Sequence, residues 1–401
     1  MTPHDLTRRH FLSSSGVSLG AAALATLAGP ARGAELSNSP ERDAIGGIAG
    51  LKSLTPKAKR VIYLFQSGGP SQLDLLDYKP LLKDRIGEDL PASVRMGQRL
   101  TGFTKDQATL PVVPSRFKFQ QSGQSGQWFS ELLPHTAQVA DELCIVNSLH
   151  TEAINHDPAR MLMQTGSILA GRPGMGAWIS YGLGVETQNL PAFMVLVSHG
   201  SCIRQAQPVS VRLWGSGFLP SQYQGVKLQS QGDPILYVSN PPGVDTALQG
   251  ESIDAIARLN RLNAGIYGDP EIEARVQQYE MAFRMQASVP ERGVRFIQLY
   301  HVDWDHHEDV PRDTALQCGD IDRATAGLIT DLKQRGLLDE TLVIWGGEFG
   351  RTVFSQGKFT AANYGRDHHG RCFSMFFAGG GIRGGLTYGR TDDYGYSVVE
   401  N

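Results

Sequence analysis

Arg295-Phe296-Ile297-Gln298-Leu299-Tyr300, then residues 312–335, then Thr341-Leu342-Val343-Ile344-Trp345, is the stretch that decides the fold. The two short apolar runs read as strands of a sheet covered on both faces. Between them Ile321, Ala324, Leu328 and Leu332 recur at helical spacing, and Gly336 stands where such a helix should stop. Strand, amphipathic helix, strand is a βαβ unit, which joins parallel neighbours by a right-handed crossover.

Runs of the same kind lie on either side of this unit. Arg60 to Phe65 is apolar and β-rich and halts at Gln66-Ser67-Gly68-Gly69-Pro70-Ser71; others are Leu143 to Val146, Pro191 to Val197 and Cys372 to Ala378. The fold expected is α/β, with a mostly parallel central sheet flanked by helices. Residues 105–130 and 199–235 are rich in Gly, Ser and Gln and read as surface loops or a small cap. Residues 250–287 read as two helices broken near Gly265 to Pro270, and Asp74, Asp77, Lys79 and Pro80 as capping or turn residues after the first strand.

The N-terminus carries Thr7-Arg8-Arg9-His10-Phe11-Leu12, an apolar small-residue run from Gly16 to Ala28, and a plausible cleavage point after Gly33. The paired arginines mark the twin-arginine export route, so residues 1–33 read as a signal peptide of an exported, periplasmic bacterial protein. The apolar run is shorter than the ~20 residues a membrane span needs. Residues 34–57 read as a linker, and residues 58–401 as one α/β domain. With 41% hydrophobic residues and a net charge of −3, composition fits a globular chain with no bias toward nucleic acid or anionic membrane. Cys144, Cys202, Cys318 and Cys372 are too widely spaced for a zinc knuckle and read as buried, unpaired thiols rather than disulfides.

Five of the 11 histidines fall between residues 301 and 369. They lie in His301-Val302-Asp303-Trp304-Asp305-His306-His307 and in Gly365-Arg366-Asp367-His368-His369-Gly370, on either side of Gly347-Glu348-Phe349-Gly350-Arg351-Thr352. Neutral imidazoles with carboxylates are the donors that zinc or manganese takes. In open α/β sheets ligands bind at the carboxyl ends of the strands, and these blocks, with Gln66, Ser71, His150 and His156, follow predicted strands. The metal-ligand candidates are therefore Asp303, Asp305, His307, Glu348, Asp367, His368 and His369. His156-Asp157-Pro158-Ala159-Arg160 reads as a helix start, with Asp157 as N-cap, Pro158 at the first helical position and an arginine beside an anion-favouring end.

A strand running into Gly-Gly-Pro-Ser-Gln-Leu-Asp74, a Pro-Arg helix ending in Thr165-Gly166, and then Asp/His, Glu and Asp-His-His blocks resembles the DUF1501 family. These are exported, sulfatase-like members of the alkaline phosphatase superfamily. The resemblance spans residues 58–393, with Asp367-His368-His369-Gly370-Arg371 and Gly347-Glu348-Phe349-Gly350-Arg351-Thr352 as its most specific marks. It implies an alkaline phosphatase-like sandwich.

The resemblance also assigns roles. In the sulfatase pattern Cys-x-Pro-Ser-Arg, Pro158 and Arg160 keep their places, Ala159 replaces the serine, and His156 stands at the nucleophile, where no formylglycine can form. His156 is then a metal ligand, a general base or a nucleophile, with Arg160 holding the anionic group. Asp303 and His307 reproduce the Asp-x-x-x-His block of the superfamily's mutases, and Asp305-x-His307 is nearer to the family's own pattern. The later Asp-His pair is Glu348-Phe349 here, the first strand ends in Gln66 instead of aspartate, and His368 matches the final histidine. One ion is expected rather than two. Family members continue past Val399-Glu400-Asn401, so the domain is expected to be C-terminally incomplete, with residues 372–401 frayed.

Two functions follow from this set. One is a metal-dependent hydrolase of an anionic sulfate or phosphate ester, with a sulfated or phosphorylated glycan or a small metabolite as substrate. The other is a non-catalytic exported binding protein on a degenerate sulfatase-like scaffold.

Overall fold

The computed structural model describes residues 56–186, 190–202, 208–228, 243, 245–267, 294–360 and 363–400. The stretch 1–33 expected as a signal peptide, most of the expected linker and the second of the two helices expected in 250–287 lie outside the described residues.

The strands are β1 (Arg60–Gln66), β2 (Phe119–Ser122), β3 (Gln127–Ser130), β4 (Leu143–Leu149), β5 (Phe193–Ser198), β6 (Val226–Lys227) and β7 (Phe296–His301). They continue with β8 (Thr341–Gly346), β9 (Gly350–Gln356), β10 (Gly365–His369), β11 (Phe373–Ala378), β12 (Leu386–Tyr388), β13 (Arg390–Thr391) and β14 (Val398–Glu400). The α-helices are α1 (Gln72–Leu75), α2 (Ala92–Arg95), α3 (His156–Thr165), α4 (Met175–Leu183), α5 (Thr246–Tyr267) and α6 (Val310–Gln334).

Eight strands form one mixed sheet in the order β12-β4-β11-β8-β1-β7-β5-β6. All run parallel except β11, which is antiparallel to β4 and β8. The βαβ unit is present, with one correction. β7 and β8 are parallel but are not neighbours: β1 lies between them, pairing Val61 with Phe296 on one side and with Leu342 on the other. The helix crosses over a strand that entered the sheet far earlier in the chain.

Helix α6 packs on one face, where Cys318, Ile321, Ile329 and Leu332 meet Leu64, Val343 and Trp345. Helices α3 and α4 cover the other, where Met161, Met163 and Ile179 meet Tyr63, Phe65, Phe296 and Tyr300. Two covered faces explain the unbroken apolar runs. The buried stripe of α6 runs through Thr314, Cys318, Ile321, Thr325, Ile329 and Leu332; Ala324, expected on that stripe, is exposed.

Within the stretch expected to be frayed, the strand after Cys372 and Tyr396 are packed into the fold. β11 sits inside the sheet, and Phe373, Met375, Phe376 and Tyr396 are buried. Residues 105–130, expected as loop, contain the β2–β3 hairpin. Cys144, Cys318 and Cys372 are buried, free thiols, and Cys202 is buried as well. Among the described residues no helix is long and apolar enough to cross a membrane.

Candidate metal centre

The parallel strands β1, β7 and β8 deliver three loops to their shared carboxyl end. Gly68, with φ of +121°, lets two of these loops touch: a Cβ there would lie 2.5 Å from the amide nitrogen of Asp305. Any side chain at 68 would push the Asp303–His307 loop away from the first strand.

Four residues converge at this end. Suitable atoms of His156, Asp305, His307 and His368 all lie within 4.8 Å of one another. His156 opens α3, Asp305 and His307 follow β7, and His368 sits within β10, which pairs with β9 in a separate hairpin. Asp305 is the hub. Its Oδ2 lies 3.0 Å from His156 Nε2, and its Oδ1 lies 2.8 Å from His307 Nε2 and 3.2 Å from His368 Nε2.

Each imidazole is held from behind. His156 Nδ1 is 2.7 Å from Glu348 Oε1, His307 Nδ1 is 2.6 Å from Gln356 Oε1, and His368 Nδ1 is 2.7 Å from the carbonyl of Ile154. These acceptors take the Nδ1 protons and leave three Nε2 lone pairs facing inward, the arrangement metal-binding histidines show. Without a cation the arrangement is unfavourable: His307 and His368 bring their Nε2 atoms to 3.1 Å. His156 Nε2 is buried and makes no directed hydrogen bond. Three nitrogens and one carboxylate oxygen are a suitable set for zinc or manganese.

Electrostatics agree. Burial opposes the charge on Asp305, but the Arg351 guanidinium, donating at 2.7 Å, and the three imidazoles hold its carboxyl far below the usual range. Burial also pushes His156 down, yet Asp305 and Glu348 outweigh it and the net shift is upward, so this point favours positive charge. Burial pushes His368 down to about 4, against the pull of Asp305, which keeps the ring neutral with its lone pair available.

The other candidates stand elsewhere, for reasons of backbone geometry. Consecutive strand residues point to opposite faces. Asp367 and His369, on either side of His368, therefore turn away from the cluster. Asp367 accepts from Thr101 and Thr104 and from the backbone amide of His368. His369 donates from Nε2 to the carbonyl of Tyr396, and burial lowers it to about 4. Asp303, with a left-handed φ of 77°, turns toward His199 at 3.7 Å. Glu348 stands behind a ligand instead of in the set, and its carboxylate also accepts from the Gly68 amide. Arg160 is buried, donating to Ser67 Oγ and to the carbonyl of His156.

Residue types alone did not single out Gln356, the Ile154 carbonyl or Phe103. A supporting carbonyl carries no side-chain signature. Phe103 is a large apolar residue, 60% exposed, with its ring 4.6 Å from that of His307. Buried Phe349 closes the cluster's inner side against His156 and His368.

The chain matches the family described as "Protein of unknown function (DUF1501)" over residues 58–292 and 289–401, and it belongs to that family. The comparison with curated proteins returns no match. Among solved structures it is similar to the lipoteichoic acid synthase LtaP from Listeria monocytogenes, at 8% identity over 83% of this chain and 68% of that one, with a TM-score of 0.32. It is also similar to the phosphonate monoester hydrolase of Agrobacterium radiobacter, at 9% identity over 82% and 70%, with a TM-score of 0.31. A third similar structure is a TAB5 alkaline phosphatase mutant, at 9% identity over 81% and 91%, with a TM-score of 0.30.

Proposed function

We propose that this DUF1501 protein is an exported, metal-dependent hydrolase of sulfate or phosphate esters that holds one divalent ion, zinc or manganese, on His156, Asp305, His307 and His368. The observation that carries this reading is the set of three imidazoles, each with its Nδ1 committed to an outer oxygen and its Nε2 turned to one point. Export rests on Arg8-Arg9 and the apolar run behind them.

When bound, the ion would supply Lewis acidity to an ester oxygen and would lower the pKa of a water molecule. The chain supplies the rest. Glu348 fixes the tautomer of His156, whose second nitrogen would be taken up by the ion, so neither nitrogen is left to attack sulfur or phosphorus. Water is then the nucleophile, and His156 is a ligand. Arg351 holds Asp305 ionised and oriented through its contacts to the Gly68 and Gly69 carbonyls. Arg160 positions Ser67 and the start of α3, and its positive charge beside a helix N-terminus favours an anionic group there. Phe103 offers an apolar face at the mouth, suited to the ring of a sugar or aryl leaving group.

The setting of His156 also supports the second reading, a non-catalytic binding protein, because the ring at the superfamily's nucleophile position is held between the carboxylates of Glu348 and Asp305. One experiment separates the two: metal content of the purified chain, with hydrolysis of aryl sulfate and aryl phosphate esters by the metal-loaded protein. The hydrolase reading expects one ion per chain, loss of that ion in His307→Ala and His368→Ala, and turnover of one ester class that disappears in both variants. Stoichiometric metal without turnover of either ester leaves the binding protein. Absence of metal in the wild type ends the hydrolase reading and favours the binding protein.

A further inference from the structure

The net charge of the whole chain hides a local asymmetry. From Pro158 to Gly232 there is one carboxylate, Glu186, against five cations, in a chain with 40 acidic residues and a net charge of −3. Glu186 already faces Arg295 at 2.9 Å and Arg60 at 3.5 Å. Of the five cations Arg160 is buried, whereas Arg172, Arg212 and Lys227 are exposed. Arg212 has Asp157 at 3.5 Å; among the described residues Arg172 and Lys227 have no carboxylate partner.

The same stretch holds large apolar side chains in the open. Leu169 is 71% exposed and Phe218 68%, and Ile168 and Trp178 are exposed as well. They belong to one neighbourhood. The Gly174 amide donates to the Gly215 carbonyl at 2.9 Å, and a Cβ at Gly217 would lie 2.4 Å from the nitrogen of Pro173. The turn after α3 and the loop 215–219 are thus pressed together, and Trp178 of α4 meets Phe218 with ring centroids 5.6 Å apart. Tyr181 adjoins Trp178 on the same helix.

Single exposed apolar residues are ordinary, but a contiguous group marks an interaction surface. Its surroundings select the partner. Leucine, phenylalanine and tryptophan beside cations, with almost no carboxylate, are the composition of a surface that sits among anionic lipid headgroups. We infer that this face docks the protein on an anionic lipid surface, with Leu169, Trp178 and Phe218 entering the headgroup–acyl boundary and Arg172 meeting lipid phosphate. Helix α3 runs from His156 to Thr165, about 14 Å, so the contact lies at the far end of that helix from the metal centre. The assignment needs neither the ion nor turnover.

Vesicles of phosphatidylglycerol mixed with phosphatidylcholine, and of phosphatidylcholine alone, test it, with bromine on the acyl chains to quench tryptophan fluorescence. The full chain is compared with its Trp178→Phe, Leu169→Asp, Phe218→Asp and Arg172→Glu variants. The readout does not see the apolar run 16–28, which holds no tryptophan. Mixed vesicles should quench part of the wild-type emission, and Trp178→Phe should abolish that part. The apparent affinity should fall about tenfold or more in each aspartate variant and about fivefold or more in Arg172→Glu. Phosphatidylcholine alone, or raised salt, should also weaken binding. Quenching that survives in Trp178→Phe, or that is equal in wild type and both aspartate variants, overturns the assignment. Equal binding to both kinds of vesicle removes the anionic lipid. A dimer in gel filtration that Phe218→Asp dissociates gives the face to a second copy of the chain and overturns the lipid assignment. Leu169 and Phe218 are exposed, so both variants should keep the wild-type circular dichroism spectrum.

Discussion

Two buried charged clusters lie within a few residues of each other on β10, and they are built on opposite principles. Asp74 and Arg366 are both fully buried, and the acid accepts from Ser71, Tyr364 and the Arg366 Nε at 2.5, 2.8 and 2.7 Å. The remaining Arg366 donors go to the carbonyls of Thr352 and Val113. Every polar atom of the pair has a partner. Around Asp305, by contrast, three imidazole Nε2 atoms face one carboxylate at 2.8–3.2 Å. A closed polar network holds a fold together, whereas an inward-facing set of lone pairs leaves a place for something else.

The sharpest test of this contrast is removal of one partner from the closed network. Asp74→Ala should lower unfolding stability by about 3–5 kcal/mol, because it strands a buried guanidinium. Metal content per folded molecule should stay unchanged. His307→Ala should do the reverse: it loses the ion, while the metal-free protein keeps its stability or gains some from relief of the crowded nitrogens. Denaturant titration with and without chelator reads both effects. For the wild type, metal at 100 times its Kd should add about 2.7 kcal/mol. If chelator changes the stability of His307→Ala as much as that of the wild type, the contrast fails.

A smaller effect is expected one step behind the ligands. Glu348→Gln keeps the size of the side chain but weakens its grip on His156 Nδ1, and Gln356→Ala removes the acceptor behind His307. Outer partners of this kind typically matter by 10–100-fold in metal affinity. Competition titration with a chromophoric chelator should show that loss in each variant, with little change in unfolding of the metal-free protein. An unchanged affinity in both would mean that the outer oxygens do not set the tautomers.

The sequence carried this division only in part. Strand-end reasoning brought Asp305, His307, Glu348 and His156 to one end of the sheet, because apolar runs and the loops after them are visible as patterns. It could not choose between Asp303 and Asp305, or among Asp367, His368 and His369. That choice depends on a left-handed turn at Asp303 and on the pleat of a hairpin set by its partner β9. The position of β1 between β7 and β8 was equally hidden, since strand order follows from contacts between residues more than 200 positions apart. Asp74, read as a turn residue, is a buried ion-pair partner because of Arg366, 292 residues away.

Acid should separate the two clusters by the least amount, and its sign follows from Asp74. Burial alone would raise this carboxyl, but Arg366, Ser71 and Tyr364 together hold it below its ordinary value. A depressed carboxylate contributes stability that is complete above the unfolded pKa of about 3.9 and fades as pH falls toward the folded value. The metal-free protein should therefore lose stability below about pH 4 more steeply than Asp74→Asn, whose side chain does not titrate. Both curves should run parallel at neutral pH, offset by the cost of the substitution. Stability curves measured on the metal-free form remove the histidine ligands' own proton–metal competition from the comparison. Identical acid limbs in the two proteins would show that Asp74 does not hold its charge against the buried guanidinium, and the closed network would lose its central ion pair.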